Sequence, residues 1–341
     1  MKKRKKEPGL NYSAELNRLK QEGPARLYLL WGEEEYLRDS FLTAIRELCF
    51  PDGDEGFQHR VFKEAQPEPD AVRDAIDTAP FFSERTLVEL RDPDFSKSSE
   101  ELIPILSDIP DWCTVVFLLG QNTEPDGRLK FVKFLRQTGR EIRFTVQDQN
   151  MLLRWIARRF AFYGKGLEME AAQRLIYLSG DQMKALIPEI DKIAAYAKGE
   201  KVTAADVNAV ANRIAEAGIF DLTDAIAERR FSEAAGLLAD LLEQRDSSVP
   251  AILSMLSNQF RRLFLAKEVP DPNTLMELTG LKYDFMARRL ISSARGFRIE
   301  QLRHAVSLCA EADYRLKSGA SDEKQLLKET LMRIALEAAD D

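Results

Sequence analysis

Histidine and cysteine are nearly missing from this sequence, and what they would build is missing with them. The three cysteines, Cys49, Cys113 and Cys309, are odd in number and far apart, and with His59 and His304 they form no zinc-type spacing. A disulfide framework and a Cys/His metal centre are therefore excluded, which suits a reducing cytoplasm. Long apolar runs are absent as well. VVFLL at 115–119 is among the longest, against the ~20 residues a bilayer-spanning helix requires, so no membrane partner is expected. Nor is there an excess of positive charge: 49 Lys and Arg face 56 Asp and Glu, for a formal net charge of -7. A chain that grips nucleic acid unaided draws on a basic face. Any DNA contact here has to be local or shared with partners. The basic opening, MKKRKKEPGL, is not followed by the apolar segment of a signal peptide. It reads as a solvated arm, with a weak phosphate contact as the alternative.

What is present is a chain of 341 residues, 45% hydrophobic and 31% charged, in the range of globular proteins and long enough for two or three domains. Up to about residue 147 short apolar runs alternate with helical patterns. RLYLL, HRVFKEA, RTLVELRD, TVVFLLG and EIRFTVQ are the strand candidates. LRDSFLTAIREL, AVRDAIDTA, SSEELIPILSDI (with Pro104 inside it) and LKFVKFLRQTG lie between them. Such alternation predicts a parallel five-stranded sheet covered by helices on both faces.

Beyond Gln147 the strand signal ends. MLLRWIARRFAFYG and EAAQRLIYLSG close on Gly164 and Gly180 as C-caps. DQMKALIPEIDKIAAYAKG is a third helix, in which Pro188 predicts a break or kink. Thr203 and Asp206 make a capping box for DVNAVANR. The segment IAEAGIFDL, with Gly218 at its centre, reads as a boundary. Six further amphipathic stretches follow, which predict a separate helical bundle, and with no fixed-period repeat a solenoid is disfavoured. The expected division is a lead-in arm at 1–25, an α/β domain at 26–149, a small helical lid at 150–213 and a helical domain at 214–341.

The stretch WGEEEYLRDSF sits between the first strand and the first helix of the alternation, where a phosphate loop would lie. The pattern G-x-x-x-x-G-K-[ST] needs a second glycine, a lysine for the phosphates and a hydroxyl for magnesium. Counted from Gly32, those places hold Leu37, Arg38 and Asp39. Glu33, Glu34 and Glu35 would line the cradle with negative charge, which complements a helix N-terminus and repels a triphosphate. No nucleotide, cofactor or metal is expected there.

A five-stranded α/β domain followed by a helical lid is the plan of an AAA+ module. The acids that would hold magnesium at the end of its third strand are replaced by Arg91, with Asp92 and Asp94 flanking Pro93 as turn-formers. Arg154, Arg158 and Arg159 read as a solvated helix face, and no nucleophile with an adjacent base stands out. In DAIDTAPFFSERTLVEL, Pro80 stops a helix and Phe81 and Phe82 follow directly before polar Ser83, Glu84 and Arg85. Neighbouring side chains diverge. Two readings stay open, rings packed under the sheet edge or an exposed aromatic knob with the composition of a binding hot spot.

Through YLLWGEEEYL, APFFSERTLVEL, TVVFLLG, LIPEIDKIAAYA with KVTAADV, and DLTDAIAERRFSEAAGLLADLLEQ, the sequence resembles the delta subunit of the bacterial DNA polymerase III clamp loader, over nearly its whole length. The resemblance implies an AAA+-like module that neither binds nor hydrolyses ATP, a lid, and a C-terminal helical collar that assembles with the tau/gamma ATPase subunits and delta-prime. It implies no catalytic centre in this chain, binding to the beta sliding clamp, opening of one ring interface for loading onto primed DNA, and a place in the cytoplasmic replisome. The clamp-inserting hydrophobic pair of the family falls on Phe81 and Phe82. A divergent AAA+ ATPase and a helical DNA-binding adaptor remain as rival readings.

Overall fold

The computed structural model describes residues 12–53, 56–81, 83–95, 97–120, 123–244, 248–319 and 322–339. Its chain divides into two compact units, residues 1–147 with 182–184 and residues 148–181 with 185–341. The first unit opens with α1 (Tyr12–Glu22) and then alternates: β1 (Leu27–Gly32), α2 (Glu35–Cys49), β2 (His59–Phe62), α3 (Pro69–Asp77), β3 (Thr86–Arg91), α4 (Ile103–Leu106), β4 (Cys113–Leu118), α5 (Lys130–Thr138) and β5 (Arg140–Phe144). All five strands are parallel, in the order β2-β3-β4-β1-β5. The near-continuous apolar runs have this cause, because a central parallel strand is covered on both faces. Every residue of β1 and of β4 is buried.

Successive side chains alternate between the faces. Leu27, Leu29, Val88, Leu90, Val115 and Phe117 point to a core closed by Val72 and Ile76 of α3, Ile105 and Leu106 of α4, and Phe131, Val132 and Leu135 of α5. Phe95, Phe117 and Phe131 form a ring cluster with centroids 5.5–6.0 Å apart. On the opposite face α2 lays Phe41 against Tyr28 and Phe144. Each fully buried side chain of this size contributes about 1.5–3 kcal/mol.

The second unit begins with α6 (Gln149–Phe162), β6 (Gly166–Leu167), α7 (Met169–Ser179), α8 (Met183–Tyr196), β7 (Lys201–Val202) and α9 (Ala204–Val210). The capping box at Thr203 and Asp206 opens α9 as its residue types require. Then come α10 (Ala215–Ala227), α11 (Phe231–Glu243), α12 (Val249–Glu268), α13 (Pro272–Thr279), α14 (Asp284–Ala294), α15 (Ile299–Lys317) and α16 (Glu323–Ala339). The axis of this bundle is α12, which packs against α10, α13, α14, α15 and α16.

Several expectations are corrected. The weak helical pattern read in IAEAGIFDL hides a helix: Ile214 is the N-cap and the rest is the first part of α10, buried at Ala217, Gly218, Ile219, Phe220 and Leu222. Gly218 serves close packing there, since a Cβ would stand 2.8 Å from a Leu241 methyl. The pattern looked weak because a helix buried nearly all round has no polar stripe. Pro188 does not break α8. Its missing N–H would have bonded Lys184, a solvent-exposed residue one turn earlier whose carbonyl can turn to water. Pro104 lies in the first turn of the short α4, after a 3-10 turn at Lys97–Leu102, and not inside a longer helix. Strand structure does not end at Gln147, because β6 and β7 pair in a two-residue parallel ladder. The lead-in contains α1, anchored by the fully buried Leu19, and α13 is an additional helix begun by the Asp271 cap and Pro272. The basic residues of the opening arm lie outside the described residues.

Glu89 is the one charge in the middle of β3, and its side chain is wholly buried. Its carboxylate accepts from Arg46 Nη2 of α2 at 3.0 Å and from Arg91 Nε and Nη2 at 2.9 and 2.7 Å, and His59 Nε2 lies 2.8 Å away. Burial alone would raise its pKa, but the hydrogen bonds from His59, Arg91 and Arg46 outweigh burial and lower it to about 2. A carboxylate with a depressed pKa stabilises the fold fully above its unfolded value of about 4.3, and that stabilisation is lost as pH falls through the folded value. Chemical denaturation of Glu89→Gln at neutral pH is expected to show a loss of about 3 kcal/mol. Between pH 4 and 2 the wild-type stability should fall more steeply than the variant's, and parallel curves would mean that the carboxylate is not held charged.

Candidate functional site

Two loops of the first unit carry the sequence features of interest, and they lie at the two opposite strand-end edges of the sheet, one where the parallel strands finish and one where they begin. One leaves β1 at its last residue. The other enters β3 at its first. A six-residue strand separates such edges by about 20 Å.

At the first edge, only Glu33 and Glu34 lie between Gly32, the last residue of β1, and Glu35, the first of α2. A phosphate loop is longer, because its backbone has to curl around the anion before the helix begins. Here Leu37, at the place of the second glycine, is already in the helix and buried, as is Arg38 at the lysine place. The Arg38 guanidinium turns to the end of β4, donating from Nη1 to the Leu119 carbonyl at 2.5 Å and from Nη2 to Asp39 Oδ1 at 3.2 Å. Asp39 stands at the hydroxyl place, about half exposed.

The acidic residues are each engaged locally. Glu33 pairs with Arg143 at 3.2 Å, and Arg143 lies 4.8 Å above the Trp31 ring. Glu34 is the N-cap of α2, and its Oε1 accepts from the Tyr36 N–H at 3.3 Å. Its own N–H donates to the Phe144 carbonyl at 3.0 Å. Glu35 occupies the first turn, where negative charge complements the helix dipole. Gly32 is present for a steric reason, with φ +131° and Phe144 so close that a Cβ would meet its carbonyl oxygen at 2.3 Å.

At the other edge α3 ends at Asp77, and the chain passes Pro80 to reach Phe81, which is 79% exposed. Phe81 therefore does not pack under the sheet. Phe82 lies outside the described residues. The polar residues after it fasten the loop: Ser83 Oγ donates to the Arg85 carbonyl at 2.5 Å and accepts from Gln58 Nε2 at 2.8 Å. Gln58 is buried, and the Arg85 guanidinium donates to the Asp111 carbonyl at 3.3 Å. The Thr86 N–H bonds the Trp112 carbonyl at 2.8 Å, which brings Trp112, 39% exposed, to the same edge.

The third-strand acids are in a turn. Asp92 has φ 51°, a left-handed conformation that aspartate tolerates, and its N–H donates to the Leu118 carbonyl at 2.8 Å. Asp94 accepts from Gln66 Nε2 at 3.1 Å. Among the described residues no group of three His, Cys, Asp or Glu side chains is placed to hold a metal, and no helix is long and apolar enough to cross a membrane. The three cysteines are free and buried. Sequence reasoning passed over the cluster of Glu89, His59, Arg46 and Arg91, although a glutamate amid apolar residues in RTLVELRD was a visible signal for a buried ion network.

Residues 28–145 match the family model described as DNA polymerase III, delta subunit, and residues 216–334 match the model for the C-terminal domain of the same delta subunit. A DNA polymerase III subunit delta from Bacillus subtilis (strain 168) is 27% identical over 322 residues, spanning 90% of this chain and 92% of its own. A probable DNA polymerase III subunit delta from Aquifex aeolicus (strain VF5) is 22% identical over 322 residues, spanning 90% of each chain. Among solved structures, a Bacillus subtilis DNA clamp loader delta protein shares the fold with a TM-score of 0.56 at 23% identity, over 95% of this chain and 99% of that one.

The Gly32→Ala variant is expected to destabilise the full chain by about 2–3 kcal/mol, read as a lowered melting midpoint. An unchanged midpoint would mean that the close approach of β5 does not require this glycine.

Proposed function

The chain belongs to the DNA polymerase III delta subunit family, a component of the clamp loader, and from that premise we propose that it binds the beta sliding clamp through Phe81 and Phe82 and holds one ring interface open. The observation that carries the reading is the exposure of Phe81 on a loop that the Ser83 hydroxyl ties to Gln58 and to the Arg85 carbonyl. A fastened loop loses little conformational freedom on docking. Burying two phenylalanine side chains in an apolar pocket contributes about 3–6 kcal/mol before ordering costs.

Opening follows from linkage. A ligand shifts a ring from closed to open only by its difference in affinity for the two states. In this reading the aromatic pair supplies affinity, and the rigid sheet behind it fits the relaxed curvature of an opened clamp better than the closed one. The subunit has no nucleotide chemistry of its own, a view supported by the short β1–α2 turn and by the buried Leu37 and Arg38. ATP would act on the neighbouring tau/gamma subunits, which with delta-prime join this chain through a collar at 214–341, while 150–213 forms the lid. Primed DNA is then reached through the assembled loader of the cytoplasmic replisome.

The test is capture of purified beta clamp by the immobilised full chain. Phe81→Ala with Phe82→Ala is expected to lower the affinity at least a hundredfold, with an unchanged melting midpoint. Equal capture by wild type and variant would overturn the assignment of the docking pair.

A further inference from the structure

The arginines of α6 are not absorbed by the clamp-docking reading, and their surroundings set them apart. This helix has no acidic residue in its 14 positions, in a chain whose acids outnumber its bases. Its inner face buries Leu152, Leu153, Ile156 and Phe160. On the outer face Arg154, Arg158 and Phe162 follow one another at intervals of four, which puts them on one stripe. All three are exposed, Phe162 at 85%. Among the described residues neither Arg154 nor Arg158 makes an ion pair, whereas Arg159 beside them lies 3.6 Å from Asp191. Tyr163 donates its hydroxyl to the same Asp191 at 2.8 Å and sets its ring edge-on to Phe162, with centroids 5.5 Å apart. Asp191 is thus engaged, and the Phe162 ring is braced by Tyr163 while most of it faces solvent.

We propose that the outer face of α6 is a binding surface for single-stranded DNA, with Arg154 and Arg158 on successive phosphates and a base stacked on Phe162. The two arginines are set about 6 Å apart along the helix axis, a rail for a backbone, and the ring at its end is a platform that tolerates any base. A duplex hides the base faces that such a ring would stack on. A protein hot spot would sit inside a rim of contacts that exclude water, but Ala161 and Gly164, neighbours of Phe162 in the chain, are small and exposed. The small basic face also reconciles a net charge of -7 with DNA contact, since the attraction is local.

The test uses the full chain and a fluorescent oligothymidylate, with anisotropy read at rising salt. Arg154→Ala with Arg158→Ala is expected to weaken binding about tenfold at low salt and to reduce the slope of log affinity on log salt by about 1.4, the equivalent of two single-strand phosphate contacts. Phe162→Ala should weaken it about tenfold with the slope unchanged, and Phe162→Trp should restore it. A duplex of equal length should not respond to Phe162→Ala. No binding by the wild type, or variants that bind like it, would overturn the proposal. So would variants that bind the oligomer normally but no longer assemble with the other loader subunits, since the face would then be a protein interface. Clamp capture is unaffected in either case, so this proposal and the clamp-docking reading fail separately.

Discussion

The connection from β1 to α2 is only two residues long, and the first unit is organised by that constraint. With Gly32 pressed against Phe144 and the Glu34 N–H bonded to the Phe144 carbonyl, the helix starts as soon as the strand ends. Two of the N–H groups that would point at a phosphate in a longer loop have protein partners, that of Glu34 in the Phe144 carbonyl and that of Tyr36 in the Glu34 carboxylate. The same contact pins the edge strand β5 to β1, so the glycine that sequence comparison would assign to phosphate binding is needed for the sheet itself. Arg38 completes the substitution, its guanidinium held by the Leu119 carbonyl beyond β4. A residue at the position of a catalytic lysine has become a tie between helix and sheet.

Much of this was legible in the residues. The five strands fall where the alternation puts them, because buried parallel strands are apolar without interruption and their flanking helices are not. Gly164, Gly180 and the Thr203 capping box mark helix ends, since their local chemistry is decided within a turn. What escaped was set by tertiary contact. Gly218 looks like a breaker until Leu241 is beside it, and Pro188 looks like a stop until the residue one turn earlier, Lys184, is seen to be exposed. The two-residue strands β6 and β7 are too short for any periodicity. At the candidate site, the residues missing a phosphate-loop role could be counted in the sequence, but the exposure of Phe81 and the Gln58–Ser83 tether depend on residues far apart in the chain.

Placing the aromatic loop and the closed β1–α2 turn at opposite edges of one sheet has a mechanical consequence. Parallel strands with cores on both faces are close-packed and shift as a body. In the proposed docking, a force taken up at Phe81 passes along β3 to the other edge with little local give, and Glu89 with its partners ties β2, β3 and α2 together midway. A flexible carrier would bind an open and a closed ring with nearly equal affinity by adapting to each, and equal affinity shifts no equilibrium. In the proposed docking, stiffness is what turns an apolar contact into discrimination between two ring states. A buried charge network is costly to assemble, and its position between the two edges is where loss of stiffness would matter most.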